Sequence, residues 1–136
     1  MEDVGLFNKW IISIVILLLC GIVFMPEITS SVARTALSKK HSHKSWAPGV
    51  AYGAAKINLR MWRHEAAAEI LADSIKTWPK AIWLPEAYFQ YALAQEKMDN
   101  DAAAVKAYQA YSAKYPNHEW KEQAKKRASN IQANML

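Results

Sequence analysis

One cysteine and four glycines stand in the whole chain of 136 residues, and both scarcities narrow what it can be. Cys20 has no second thiol to pair with, so no internal disulfide staples the fold. Its position inside an apolar stretch leaves the redox compartment unread. Four scattered glycines do not build the loop whose backbone amides cradle a phosphate, and no nucleophile and base stand in an arrangement that implies catalysis. His41 and His43 are one residue apart and would reach a metal if His64 or His118 joined them. No cysteine or carboxylate cluster completes a coordination set, so they read as solvated residues of a flexible basic segment. These absences predict no catalytic residue, no metal, no cofactor and no small-molecule substrate.

Charge is missing altogether from Trp10 to Met25, sixteen residues dominated by Ile, Leu and Val. Such a run is a helix in lipid. At about 1.5 Å per residue it covers roughly 24 Å, slightly less than a ~30 Å hydrocarbon core. Leu6 and Phe7 extend it if Lys9 snorkels, Trp10 suits the headgroup interface, and Pro26 is expected to end the span. Ser31-Val32-Ala33 has the small residues a signal peptidase reads, but the start carries Glu2 and Asp3 with Lys9 as its one basic residue, a poor leader. Leu19 ahead of Cys20 is a poor lipoprotein signal. Ser13, Cys20 and Gly21 are the small residues of the span, where a second transmembrane helix would approach most closely.

Net charge is +5, and its placement says more than its sum. Arg34, Lys39, Lys40 and Lys44 follow the apolar run unopposed, whereas residues 49–136 carry twelve basic and nine acidic side chains. The excess is juxtamembrane, so anionic lipid headgroups, not nucleic acid, are its expected counter-charge. The expected organisation is a tail and transmembrane helix over 1–26, a basic linker over 27–47, and a folded domain over 48–136. A domain of that size buries only a thin core and gains from a partner.

That domain repeats itself. A shift of 37 residues carries Trp78-Pro79 onto Tyr115-Pro116, Trp83 onto Trp120, Ala66-Ala67 onto Ala103-Ala104, Leu71 onto Tyr108, Ser74 onto Tyr111 and Ala87 onto Ala124. Apolar residues recur at three-and-four spacing through Ala66–Trp78, Leu84–Met98 and Ala103–Tyr115, which predicts helices. Pro79 and Pro116 stop helices; Pro48 and Pro85 open them. Asp99-Asn100-Asp101 supplies turn and N-cap chemistry. A last helix from about His118 to Met135 keeps Trp120, Ala124, Ala128 and Ile131 on one face and caps the stack.

With small residues at helix crossings (Ala55, Ala67, Ala92, Ala104), large ones between them (Leu71, Tyr88, Tyr108) and the terminal Pro79 and Pro116, residues 47–136 resemble the tetratricopeptide repeat family. The departures are a spacing of 37 in place of 34, Ser74 and Tyr111 where alanine is usual, and no glycine in either hairpin. The resemblance implies an all-α fold, here an N-terminal transmembrane helix followed by antiparallel helical hairpins and a C-terminal capping helix. It also implies a protein partner held on one helix of each pair. Those positions are Tyr52, Lys56, Leu59 and Arg60, which the shift carries onto Phe89, Leu93, Glu96 and Lys97. A peptide groove and plain packing of Tyr52 and Phe89 both remain open.

The phrase Ala110–Asn117 is similar to repeats of bacterial envelope proteins, most of which work in the periplasm. The charge count points the domain to the cytoplasm instead. Of the two, the periplasm is taken. The expected molecule is a single-pass protein of the bacterial cytoplasmic membrane, an adaptor or accessory subunit whose partners are membrane-complex subunits and the bilayer. A structural subunit held by its transmembrane helix, or a client-binding chaperone, is the alternative.

Overall fold

The computed structural model describes the backbone of residues 2–135 and the side chains of 9–25 and 27–135. It is all-α among the described residues: α1 (Glu2–Leu37), α2 (Ala47–Arg60), α3 (His64–Thr77), α4 (Leu84–Lys97), α5 (Asp101–Lys114) and α6 (Lys121–Asn134). Each helix packs against the next in sequence, and α1 also reaches α3. Two core clusters result, one where α1 meets the first hairpin and one among α4, α5 and α6. Alanine dominates the first and recurs in the second, because only a small side chain lets adjacent helix axes approach closely at the crossing. The second is completed by Tyr108 and Tyr111, both fully buried.

Local chemistry places the helix ends. Pro48 and Pro85 lie in the first turns of α2 and α4, where an amide hydrogen has no intrahelical acceptor to lose. α3 and α5 stop one residue before Trp78-Pro79 and Tyr115-Pro116, as the proline rule requires. The α2–α3 and α4–α5 turns are Schellman closures: Trp62 N–H and Arg63 N–H donate to the Leu59 and Asn58 carbonyls, and Asp99 N–H and Asn100 N–H to those of Glu96 and Gln95. The expected N-cap role of Asn100 is not taken up. Its side-chain amide donates to Gln95 Oε1 at 3.1 Å.

Two expectations about the chain before the repeat are corrected. The backbone stays helical through Pro26 as far as Leu37, so residues 27–37 are not linker. One lost backbone hydrogen bond at proline is outweighed by packing on α2, which buries Ser30, Ala33 and Ala36. The rest of the segment forms hydrogen-bonded turns. Ser42 N–H donates to the Ser38 carbonyl at 2.8 Å and Lys44 N–H to that of His41 at 2.9 Å, and Trp78 Nε1 donates to the Ser42 carbonyl at 2.8 Å. Leu6, Phe7, Glu2, Asp3 and the ring of Pro26 lie outside the described side chains.

The 37-residue register reaches further back than the two hairpins. α2, α4 and α6 begin at Ala47, Leu84 and Lys121, and α3 and α5 at His64 and Asp101, each 37 residues apart. One more step back from His64 lands on Glu27, where α1 starts to pack. From there on α1 packs against α2, as α3 packs against α4.

Candidate interaction surface

The first helices of each unit, α2, α4 and α6, are joined by an aromatic wedge that the register repeats. Trp83, just ahead of α4, stacks on Tyr52 of α2 with centroids 4.7 Å apart and rings 2° from parallel. Trp120, just ahead of α6, packs on Phe89 of α4 at 5.0 Å. Tyr52 and Phe89 occupy equivalent positions, and so do Trp83 and Trp120. Phe89 also meets Tyr108 and Tyr111 edge-on at 5.6 Å and is buried. Both aromatic candidates for a partner groove thus pack one unit against the next, because a flat ring at this position fills the gap between successive first helices. Trp46 completes the series 37 residues before Trp83, but with no earlier first helix beside it the ring is half-exposed, with His41 as its ring neighbour at 5.9 Å.

The remaining groove candidates stay at the surface. Lys56, Arg60 and Lys97 are exposed and Leu93 is half-buried. Lys56 Nζ lies 5.5 Å from the Tyr52 ring centre. Two open clefts flank them. A cleft of about 250 Å³ between α2 and α4 is lined by Leu59, Arg60, Trp62, His64, Leu93 and Lys97. A larger one, about 450 Å³, lies between Glu96 of α4 and the Gln123, Lys126, Arg127, Asn130, Ile131 and Asn134 side of α6. Its wall is held by a clamp: Glu96 accepts from Arg127 Nη1 at 2.8 and 3.0 Å and from the Tyr108 hydroxyl at 2.6 Å. Burial first, and then the Glu96 carboxylate, holds the Tyr108 phenol far above its usual range. No sequence signal marked this clamp, since its members sit on three helices and only folding brings them together.

The juxtamembrane cations are redistributed. Arg34, Lys39, Lys40 and Lys44 are exposed, but the last three stand at the far end of α1. Leu37, where α1 ends, is twelve residues beyond Met25, about 18 Å along the helix axis, and the three lysines lie past it. Arg63 instead comes to the end of the apolar run, its Nη1 2.7 Å from Glu27 Oε1. Within the run, Ser13 donates to the Lys9 carbonyl at 2.9 Å, Cys20 is exposed, and a Cβ on Gly21 would meet nothing within 4 Å. His41 and His64 lie against Trp46 and Trp62, His43 is exposed, and His118 shares a hydrogen bond with the Tyr111 hydroxyl.

The comparison with known families falls on the hairpin of α4 and α5. Residues 86–118 match the tetratricopeptide repeat family model. The match covers α4 from Glu86, all of α5, and the turn to His118, so the chain carries a TPR-like repeat there. α2 and α3 share its register. A comparison with curated proteins gave no match. A repeat of this kind is an interaction module, which makes a protein the expected class of ligand.

Proposed function

We propose that this chain is a membrane-anchored, non-catalytic adaptor or accessory subunit that holds a protein partner on the α2–α4–α6 face beside a larger membrane complex. The observation that carries the reading is the pairing of a TPR-like hairpin with an apolar helix that no other element covers among the described residues. Between Trp10 and Met25 the large side chains of α1 are all exposed, and the helix is long and apolar enough to cross a membrane. Left in water, that surface would far exceed what a soluble monomer exposes. Buried in a bilayer, it confines the module and its partner to one plane and raises their effective concentration, which a short groove needs.

The α4–α6 cleft is the partner contact in this reading, with Lys56 and Leu93 continuing it toward α2. The membrane is taken as a bacterial cytoplasmic membrane with the repeats in the periplasm. An alternative is a structural subunit held mainly through α1, favoured by the open space at Gly21, where a second helix would pack against Ser13, Cys20 and Gly21. A photo-crosslinking residue at Lys126 and, separately, at Ser13 in native membranes separates the two. A defined adduct from Lys126 supports the adaptor; adducts from Ser13 alone overturn it in favour of the structural subunit. Protease access in intact spheroplasts reads the side of the membrane.

A further inference from the structure

The turn between α2 and α3 carries an exposed aromatic residue at positive φ. Trp62 occupies the left-handed region at φ 60°, the C′ position of a Schellman closure where glycine or asparagine is the usual residue. A bulky aromatic there is strained, because its Cβ is crowded against the following carbonyl oxygen. Its counterpart in the next unit, Asp99, has φ 57° with a short polar side chain that tolerates the conformation better. The Trp62 ring is also 80% exposed, and its ring neighbour is His64, edge-on at 6.0 Å. The strained backbone thus holds an indole out into solvent.

The height of that indole in the molecule is set by its neighbour. Arg63 is paired with Glu27 at 2.7 Å, and Glu27 is the first charge after the apolar run of α1. Asn58, one turn earlier in α2, is tied to the same part of α1 through Ser30 and Thr29. Trp62 therefore sits level with the point where α1 leaves its apolar stretch. Around it Arg60 and Lys97 are exposed and, among the described residues, have no acidic partner within 4 Å, and Leu59 and Leu93 floor the cleft beside the indole. Ile82 is 96% exposed but lies in the α3–α4 turn, at the other end of α3, about 20 Å of helix away.

We propose that the α2–α3 turn is a second membrane contact, with the Trp62 indole in the headgroup layer of the bilayer that α1 enters and Arg60 and Lys97 on its anionic headgroups. This rests on α1 being a transmembrane span. An amphipathic indole is stable at that depth, and the flanking cations meet the negative surface there. Two contacts, α1 and the turn, fix the rotation of the domain about the α1 axis, so the α4–α6 cleft is held at a constant distance from the membrane.

The test uses the full-length Cys20→Ser protein in vesicles of phosphatidylcholine and phosphatidylglycerol, nitroxide-labelled singly at Leu18→Cys, Trp62→Cys or Ile82→Cys. Oxygen and a water-soluble nickel chelate report depth. The native indole is followed in parallel by the emission difference between the parent and Trp62→Leu proteins in brominated lipid. The expected result is an oxygen-accessible label at 18, a label at 62 severalfold less accessible to nickel than the one at 82, and quenching of the Trp62 emission that weakens without phosphatidylglycerol. Equal nickel access at 62 and 82 with an unquenched indole overturns the second contact and leaves the anchor standing. A water-exposed label at 18 overturns both. Protection at 62 that persists in detergent overturns the lipid contact in favour of a protein one.

Discussion

Asn58 joins the apolar helix to the repeat. It is fully buried, donates to the Ala54 carbonyl at 2.9 Å and to the Thr29 hydroxyl at 3.4 Å, and accepts from the Ser30 hydroxyl at 3.3 Å. Asn58→Ala leaves the buried Ser30 hydroxyl without that acceptor and should cost about 1–3 kcal/mol, read as a lower melting temperature of the full-length protein in detergent. An unchanged midpoint would mean α1 is not docked as described. Nothing in the sequence singled out Asn58, because its partners are some thirty residues away and a lone asparagine on a helix is ordinarily solvated. The tyrosines make a second residue-scale prediction. Burial raises the Tyr52 phenol to about 12, with Glu86 adding to it, and burial likewise raises Tyr111 to about 12. A raised folded-state value stabilises fully below the unfolded value of 10.0 and is lost as pH climbs through the folded one. Stability should therefore fall from pH 10 upward, and phenolate absorbance should show a late step coincident with loss of helical circular dichroism. A smooth titration complete before unfolding would contradict the buried placement.

At the scale of elements, α1 and α6 are the two ends of the stack and are held differently. The end of α1 contributes Ala33 and Ala36 to the first core, so a chain starting at Ser38 should be less stable than one starting at Glu27 by about 2–4 kcal/mol in urea melts, from lost packing and the broken Asn58 contacts. Cleavage after Ala33, the site a signal peptidase would read, would remove part of the same packing, a physical argument for a retained helix. α6 buries only Ala124, Ala128 and Ile131 and depends on the Glu96 clamp. Glu96→Ala leaves Arg127 and Tyr108 without their shared acceptor. It should raise hydrogen exchange through α6 well before α2 and α3, with a loss of about 1–3 kcal/mol. Uniform exchange along the chain would argue against a separable end. Prolines and apolar spacing made α3 to α6 readable to within a few residues, and Pro48 marked the start of α2. The end of α1 was missed because Pro26 and four cations look like a stop, and the equal spacing of Trp46, Trp83 and Trp120 marks only the starts of α2, α4 and α6.

For the whole molecule, a single helix runs from the apolar segment into the stack, so the repeat domain is presented at a fixed angle to α1 and not on a tether. Lys126 lies exposed on the α4–α6 cleft, away from both cores. Lys126→Glu should change the unfolding free energy by no more than about 0.5 kcal/mol, as is usual at surfaces, yet reduce recovery of the partner in gentle-detergent purification from native membranes. Undiminished recovery would move the contact to another face.

Helix type, the repeat and the unbroken apolar run followed from the sequence alone, because spacing at three and four, proline stops and the absence of charge are local properties of neighbouring residues. Tertiary structure alone decided that Tyr52 and Phe89 wedge successive units together, that Glu27–Leu37 belongs to the domain, that Lys39, Lys40 and Lys44 are carried away from the apolar segment, and that Arg63 is brought back to it. Those outcomes depend on which faces meet across 31 to 36 residues of chain, as in Tyr52–Trp83, Phe89–Trp120 and Glu27–Arg63. A single sequence records the candidates for such meetings but not their pairing, since several partners of similar size and polarity would satisfy each position equally well until the helices are docked.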